Sequence, residues 1–450
     1  MPATMEHPEQ AGSATNRLFR ILLENHHGRP VGMYAVCSAN RYVLESAMLQ
    51  AKRDGSLLLI ESTSNQVNQF GGYTGQTPLD FAAFVRELAR SSKFSTANIV
   101  FGGDHLGPQV WRKEGSVSAM EKACVLVRDC VLAGYTKIHL DASMHLASDP
   151  DDPHRALADE VVSARAAELC AAAEEAHNQL APGSPSPLYV VGTEVPIPGG
   201  EQLESRAPVT TRTGDLQNTL RLAKEAFHSR GLQAAWERVI AVVVQPGVEF
   251  ADSSVFPYES KKASHLSRFI EEQWQRVFEA HSTDYQTASA LRQMVRDHFA
   301  ILKVGPWLTF AFREAVFALA AMEEEWLGTR SGLRTSGVRE ELERAMLNDP
   351  SHWKSYYQGD EATLRIARKY SYSDRSRYYW PQASVAKALQ QLVSNLAAHP
   401  APLPLLSQYL PAQTEAVREG ILANHPSDLI RHKILEVIDS YALACGMRTA

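Results

Sequence analysis

The sequence has few cysteines and no metal-binding cysteine pattern. Its 450 residues include five cysteines, and none of them forms a CxxC pair. An odd number of unpaired cysteines argues against a disulfide framework and against a cysteine-ligated zinc site. We therefore expect a cytoplasmic protein in which most cysteines are small core residues.

Long apolar runs and long basic runs are also absent. No stretch of about 18 apolar residues could form a membrane-spanning helix, and the N-terminal MPATMEHPEQAGSATN lacks the basic start and apolar core of a secretory signal. The formal net charge is −6, so we expect neither nucleic acid nor a membrane as partner. We interpret residues 1–14 as a flexible tail.

Three catalytic signatures are missing as well. The chain contains no Gly-Lys dipeptide, which excludes a P-loop kinase. It contains neither an HExxH zinc-protease helix nor a GxSxG nucleophile elbow. No GxGxxG opens a helix, which disfavours an open, dinucleotide-binding sheet.

What the sequence does contain is a repeated pattern of short apolar runs, each followed by a turn and a helical segment. Near-continuous apolar strands are typical of a parallel sheet covered on both faces. Eight such units over about 280 residues predict a (β/α)8 TIM barrel across residues 15–330, with a doubly wound open sheet as the alternative. The predicted strands are 31–39, 56–62, 98–104, 137–143, 188–194, 239–247, 277–283 and 301–306.

The pattern changes near residue 330, where strand-like runs largely disappear. Helical patterns occupy 337–348, 383–399 and 426–446, and an aromatic-rich connection, 370-YSYSDRSRYYWP-381, lies between two of them. We predict a helical C-terminal extension over residues 331–450.

Polar side chains follow nearly every predicted strand. In a barrel of this kind the functional site lies at the carboxyl ends of the strands. A single Asp or Glu there is usually a helix cap, and a single His is usually structural. Their convergence on one mouth favours a divalent metal with open positions for a substrate. The residues in question are Glu61, Asp104, His105, Asp141, Glu194, Gln245, Glu249, His281, Ser282, Asp284 and Lys303.

Glycines and amides accompany these polar residues. Gly102 and Gly103 would permit a positive φ or the close approach of a ligand, although a simple turn is the alternative. The loop 65-NQVNQFGGYTG-75 is rich in amides, which both donate and accept hydrogen bonds and so suit hydroxyl-rich ligands. Asn65 and Gln66 are the candidates there. Lys303 is the only good candidate for a Schiff-base lysine, but the acidic and imidazole groups favour metal chemistry.

Several long motifs resemble the GatZ/KbaZ family, the accessory subunits of class II D-tagatose-1,6-bisphosphate aldolase. The resemblance runs from about residue 15 to the end. It implies a barrel fold, a role in hexitol or amino-sugar catabolism, and support of a separate catalytic aldolase subunit. Some members are labelled tagatose 6-phosphate kinase. The motifs are 58-LLIESTSNQVNQFGGYTGQTP-78, 101-FGGDHLGP-108, 244-VQPGVEF-250, 280-AHSTDYQT-287, 299-FAILKVGPWLTFAFREAVFAL-319 and 373-SDRSRYYWP-381.

The family is similar in turn to the catalytic class II aldolases, which are zinc barrels. By that resemblance Asp104 is the proton donor and acceptor, His105 is a zinc ligand, and His281 is a second ligand. A third histidine is expected after the sixth strand, where this chain has Gln245. The phosphate loop after the seventh strand is replaced by 282-STDYQT-287. These departures put aldol cleavage of a bisphosphate by this chain alone in question.

A metal site remains compatible with these departures if Glu194 or Glu249 substitutes as a ligand. Zn²⁺ suits such a site, with Mn²⁺ or Co²⁺ as alternatives, and the missing histidine should weaken binding. Asp104 or Glu194 would move the proton. Candidates for binding a sugar or sugar phosphate are Glu61, Asn65, Gln66, Asp141, Gln245, Ser282, Asp284 and Lys303.

Three functions follow from these expectations. The first is an accessory subunit that binds a catalytic class II aldolase subunit. The second is a metal-dependent sugar enzyme in its own right, either an aldolase or an epimerase of a ketose or ketose phosphate. The third, tagatose 6-phosphate kinase, is disfavoured because no nucleotide-binding pattern surrounds the GGD at 102–104. We expect an oligomer in either of the first two cases.

Overall fold

The computed structural model describes residues 12–149, 157–192, 208–273 and 275–448. Eight parallel strands close into a barrel, and a short antiparallel hairpin, β7–β8, follows the sixth of them. The strands are β1 (Met33–Val36), β2 (Leu58–Thr63), β3 (Ile99–Leu106), β4 (Lys137–Leu140), β5 (Leu188–Val191), β6 (Val239–Val243), β7 (Glu249–Phe250), β8 (Val255–Phe256), β9 (Val277–Ala280) and β10 (Phe299–Val304). The predicted (β/α)8 barrel is confirmed.

Helices surround the barrel and continue beyond it. They are α1 (Ala14–His26), α2 (Arg41–Asp54), α3 (Pro78–Ser91), α4 (Ser116–Leu132), α5 (Asp159–His177), α6 (Thr213–Ser229), α7 (Gln233–Trp236), α8 (Ser260–Glu271), α9 (Ala288–Arg296), α10 (Pro306–Leu327), α11 (Val338–Asn348), α12 (Glu361–Tyr370), α13 (Ala383–Ala398), α14 (Leu403–Tyr409), α15 (Pro411–Arg418) and α16 (Pro426–Ala444). In the described residues, no helix is both long and apolar enough to cross a membrane.

Helix α1 closes the amino-terminal end of the barrel. The Ser13 side chain accepts a hydrogen bond from the backbone N–H of Asn16 and so caps its first turn. Leu18 and Leu22 are buried in one cluster with Met33 and Ile301 from the bottom of β1 and β10. The amino-terminal end is therefore filled by packing, and a ligand has to enter from the other end. Residues 1–11 of the expected tail lie outside the described part.

The C-terminal extension is helical, as predicted. Helix α16 packs against α2 and α10, so the extension covers one side of the barrel. A short 3₁₀ turn, Arg375–Tyr378, comes between α12 and α13 and reaches the barrel mouth. The boundary near residue 330 stays a prediction.

The two glycines at the end of β3 make room for protein atoms. Neither residue has a positive φ. A Cβ on Gly102 would come within 2.7 Å of the Glu61 side chain, and one on Gly103 would come within 2.2 Å of Leu106. Gly102 pairs in register with Glu61 on β2, so its missing side chain gives the Glu61 carboxylate space inside the barrel. Of the two roles that the sequence suggested for these glycines, a positive φ is not observed, and the atoms that approach them closely belong to Glu61 and Leu106.

Candidate metal centre at the barrel mouth

A cleft of about 650 Å³, measured with its opening to solvent, lies at the carboxyl ends of the strands. The predicted residues that line it are Asn65, Gln66, Asp104, His105, His281, Ser282, Asp284 and Lys303. The C-terminal extension contributes Arg377 and Tyr378, which the sequence did not single out.

Three imidazoles meet at the base of this cleft, where His105 and His281 line it and His139 is fully buried. His105 follows the bend in β3, His139 lies on β4, and His281 directly follows β9. Their ring centroids are 5.2 Å (His105–His139), 4.7 Å (His105–His281) and 5.1 Å (His139–His281) apart. Three strands distant in sequence therefore bring three potential nitrogen ligands to one point.

Two carboxylates complete the group. One ligand atom from each of Asp104, His139, Glu279 and His281 lies within 4.8 Å of every other, and all four side chains are buried. His139 Nδ1 lies 3.3 Å from Asp104 Oδ1, and His281 Nε2 lies 3.4 Å from Glu279 Oε1. Ligand atoms about 2.0–2.1 Å from a tetrahedral zinc ion lie about 3.3 Å from one another. The spacing fits a metal ion.

Buried polar atoms without hydrogen bonds support the same fit. Among the described residues, His139 Nε2, His281 Nε2 and both carboxylate oxygens of Glu279 are buried and make no well-directed hydrogen bond. A buried polar group without such a bond is unfavourable. His281 Nε2 and Glu279 Oε1 lie 3.4 Å apart, so one metal ion between them would satisfy both, whereas His139 faces the group with its Nδ1 atom and Glu279 Oε2 contacts the Lys137 ammonium. Burial also lowers the pKa of His281, which keeps the imidazole in the neutral form that binds metals.

The barrel interior contains more negative than positive charge. Three buried carboxylates, those of Glu61, Asp104 and Glu279, face two buried ammonium groups, those of Lys137 and Lys303, while Asp141 pairs with the His105 imidazole. The Lys137 ammonium contacts Glu61 and Glu279, and the Lys303 ammonium contacts Glu61 and lies 2.9 Å from Asp104 Oδ1. The excess negative charge favours a bound cation, because isolated charges are unfavourable in a dry interior.

These neighbours keep the carboxylates ionised. Burial would raise the pKa of Asp104, but His105 and His139 hold it well below its usual range. Burial likewise opposes ionisation of Glu279, yet the Lys137 ammonium and the adjacent His281 imidazole lower its pKa to about 2. Both groups are therefore anions at neutral pH, as metal ligation or proton acceptance requires.

His105 is held in place by Asp141. Its Nδ1 lies 2.7 Å from Asp141 Oδ2, and the backbone at His105 has a strained φ of 47°. Burial would lower the pKa of His105, but Asp104 and Asp141 raise it. A carboxylate on Nδ1 is a usual partner of a metal-bound histidine, but His105 lies outside the group of Asp104, His139, Glu279 and His281, so its role as a ligand stays a prediction. Asp141 does not line the cleft itself.

The remaining predicted residues lie in different places. Glu61 is fully buried beneath the cleft. Gln245 accepts hydrogen bonds from the backbone N–H of Gly247 and Val248 and so stabilises a turn. Glu249 lies on the β7 hairpin, outside the group of four. Glu194 lies outside the described residues, so its catalytic role stays a prediction.

Two members of the group, His139 and Glu279, were missed by the sequence analysis. His139 precedes Asp141 by two residues, and Glu279 precedes His281 by two. Since strand side chains alternate between faces, a residue two before a strand-end candidate points to the same side. That alternation was the available signal. His139 adds a third imidazole to His105 and His281, from the fourth strand and not from the sixth.

The chain is a closed parallel barrel that buries imidazoles and carboxylates at the ends of its strands. It is therefore a barrel protein with a candidate metal centre. Within that class, the chain belongs to the GatZ/KbaZ-like family. The family model, described as D-tagatose-1,6-bisphosphate aldolase subunit GatZ/KbaZ-like, matches residues 18–446.

One solved structure is similar to this chain over nearly its whole length, and others are similar more weakly. A probable tagatose 6 phosphate kinase from Sinorhizobium meliloti 1021 is 40% identical, with a TM-score of 0.83, over 92% of this chain and 100% of that one. A fructuronate-tagaturonate epimerase from Cohnella laeviribosi is 10% identical, with a TM-score of 0.49, over 93% and 82%. A fructose-bisphosphate aldolase from Campylobacter jejuni is 11% identical, with a TM-score of 0.41, over 86% and 93%.

Proposed function

We propose that this chain is a metal-dependent enzyme acting on a ketose or ketose phosphate, by aldol cleavage or by epimerisation. The observation that carries the proposal is the buried group of Asp104, His139, Glu279 and His281 at metal-ligand spacing. A protein that only supported a partner would not need four converging donors at the floor of a cleft.

His139, Glu279 and His281 would hold the ion. Two imidazoles and one glutamate are a ligand set that catalytic zinc uses, with a further position left for substrate. His105, expected as a ligand from the family resemblance, supplies another imidazole beside them. A divalent ion there would polarise the carbonyl and hydroxyl oxygens of a bound ketose. Zn²⁺ fits this donor set best, with Mn²⁺ or Co²⁺ as alternatives.

Asp104 is the proton carrier in this proposal. Its carboxylate lines the cleft, is ionised at neutral pH, and contacts the Lys303 ammonium at 2.9 Å. Lys303 holds the carboxylate in one orientation and stabilises its charge. The position is suited to removing a proton from a hydroxyl group of a ketose bound at the floor, and to returning it.

The test combines metal binding with turnover. Metal-free chain should bind about one equivalent of zinc in a calorimetric titration. The double variant His139→Ala/His281→Ala should bind none, whereas His27→Ala, at an exposed site on the surface, should bind normally. The zinc-loaded chain alone should convert tagatose 6-phosphate or tagatose 1,6-bisphosphate in an NMR assay that separates cleavage from epimerisation.

The accessory function is the second candidate, and the family description as an aldolase subunit favours it. In that case the chain would show no turnover alone but would raise the activity of a catalytic class II aldolase subunit. Running the same assay with the catalytic subunit present separates the two. Zinc-independent stimulation of the partner, with no activity of this chain alone, would exclude the enzyme proposal.

A further inference from the structure

One wall of the cleft comes from outside the barrel. Arg377 and Tyr378 line it, and both belong to the 3₁₀ turn Arg375–Tyr378 in the C-terminal extension. The proposed function uses the metal-ligating group and Lys303 at the base of the cleft. It assigns no role to Arg377 and Tyr378 on this wall. What the turn contributes to the cleft follows from its contacts and its charge.

The turn is anchored rigidly to the barrel. Asp374, which precedes it, accepts hydrogen bonds from Arg313 Nε at 2.9 Å and from Thr309 Oγ1 at 2.6 Å, both on α10. All three side chains are buried. A buried, hydrogen-bonded ion pair fixes geometry, so Arg377 is held at one place in the mouth before any substrate arrives.

The charge of Arg377 is not neutralised by a carboxylate contact. Its guanidinium donates to the carbonyl oxygens of Ser373 and Asp374 and to the hydroxyl of Tyr378. Buried Arg313 and Arg368 each contact a carboxylate, but the ion pairs of the described residues include none with Arg377. A guanidinium with neutral acceptors on one side can bind an oxyanion with the other, because it has five donors in a planar fork.

The other possible anion site at this end is already filled. In barrels of this type, phosphate commonly binds at the loops after the seventh and eighth strands, beside a helix N-terminus. Here the backbone N–H groups of Gly305 and Trp307, at the start of α10, donate to Asp284 Oδ1 at 3.0 and 2.8 Å. An incoming anion cannot use these donors, whereas the Arg377 guanidinium on that wall can still bind one.

Asp284 itself does not prevent anion binding. Burial raises the pKa of its carboxyl group to about 6, and a neighbouring anion would raise it further. The group can therefore become neutral when an anion binds. The hydroxyl groups of Tyr378 and Tyr73, whose rings meet at 4.6 Å, lie on the same wall and can donate further hydrogen bonds.

We propose that Arg377 binds a terminal oxyanion of the substrate, so that this enzyme prefers a ketose carrying a phosphate or carboxylate at the end remote from the metal group. The inference rests on the proposed function for the position of the reacting end. It assigns the anion-binding role to the C-terminal extension and gives a reason why the barrel mouth needs that extension. Phosphate and carboxylate share the planar, bidentate contact that a guanidinium makes.

The test is the binding of three sugars to the full zinc-loaded chain by calorimetry: tagatose 6-phosphate, tagaturonate and tagatose. The wild-type chain should bind one of the two anionic sugars roughly 10- to 100-fold more tightly than tagatose, the usual effect of a charged hydrogen bond. Which anion binds more tightly identifies phosphate or carboxylate as the natural group. Arg377→Met should abolish the preference while changing tagatose binding much less than the binding of the anionic sugar, and Arg377→Lys should retain part of the preference.

Two controls keep the outcome interpretable. Arg90→Met removes an exposed arginine on α3 and should leave the preference intact. Zinc titration of Arg377→Met should match the wild type, which shows that the metal group is undisturbed. Equal wild-type binding of charged and neutral sugars, or an unchanged preference in Arg377→Met, would overturn the inference. Failure of the wild-type chain to bind zinc would instead overturn the proposed function, and the sugar titrations can be repeated without metal.

Discussion

Lys137 Nζ lies 2.8 Å from Glu61 Oε1, and both side chains are completely buried in the barrel. The same ammonium contacts Glu279, a member of the metal-ligating group. Lys137 therefore links the base of the candidate metal centre to the layer of side chains beneath it. Without its positive charge, the Glu61 and Glu279 carboxylates would share the single ammonium of Lys303 in a dry interior, where like charges repel strongly.

The first prediction concerns this lysine. In zinc-free buffer, Lys137→Met should lower the free energy of unfolding by about 3–5 kcal/mol, the usual effect of leaving a buried charge unpaired. Urea denaturation measures it. The double variant Lys137→Met/Glu61→Gln should recover part of the loss, because it removes one of the two carboxylates that Lys137 contacts. Wild-type stability in the single variant would show that the carboxylates are neutral.

The second prediction separates proton transfer from metal binding at Asp104. Asp104→Asn should keep about one equivalent of zinc, since three other ligands remain, but should reduce turnover roughly 10²- to 10⁴-fold through the loss of an acid–base group. Zinc titration and the NMR assay measure the two quantities on one sample. Loss of zinc in proportion to activity would make Asp104 a ligand instead.

Asp141→Asn is the control variant for Asp104→Asn. Asp141 contacts the ring of His105 but not the cleft, so it acts through the position of that imidazole. Because His105 is not one of the three proposed ligands, Asp141→Asn should keep about one equivalent of zinc and weaken its binding by less than about 10-fold, below the usual effect of losing a carboxylate that supports a ligand. Turnover at saturating zinc should fall much less than in Asp104→Asn. The opposite order of effects would exchange the roles of the two residues.

The third prediction is a pH dependence of stability from Asp284. Burial raises the pKa of this carboxyl group from 3.8 to about 6. Between these values the folded chain holds a proton that the unfolded chain releases, so this group's contribution to stability falls as the pH rises. Asp284→Asn keeps an oxygen for the N–H groups of Gly305 and Trp307 but cannot ionise.

The stability of Asp284→Asn relative to the wild type should therefore increase between pH 4 and pH 7. A shift of this size corresponds to about 3 kcal/mol. Denaturation curves at several pH values measure the difference between the two proteins, in which the other titrating groups cancel. A difference that does not change with pH would mean that Asp284 has an ordinary pKa.

The fourth prediction concerns the anchor of the C-terminal extension. Asp374→Ala leaves the buried guanidinium of Arg313 without its carboxylate and should lower the free energy of unfolding by about 3–5 kcal/mol. As a control, Glu415→Ala removes an exposed partner of Arg418 on α15 and should change stability by less than about 1 kcal/mol. Similar losses in both variants would show that the buried pair has no special structural role.

Much of the fold could be predicted from the sequence, because the patterns that indicate strands and helices are local in the chain. Eight apolar runs separated by turns and helical segments indicate a closed parallel barrel without knowledge of any contact. The disappearance of such runs after residue 330 likewise indicates a helical extension. The Asp104–His105 pair was recognisable because a polar pair directly after an apolar strand is visible in the linear sequence.

The composition of the site was decided only by the tertiary structure. His139 and Glu279 lie within strands, where a polar residue reads as an interruption, and only closure of the barrel turns both toward one axis. Gly102 shows its role only beside Glu61, its neighbour in register on β2. Arg377 reaches the mouth through a buried ion pair between residues 61 positions apart. The sequence by itself determined which segments are strands and helices. Which side chains meet depended on register, barrel closure and the packing of the extension, because these arise from contacts between residues distant in the chain.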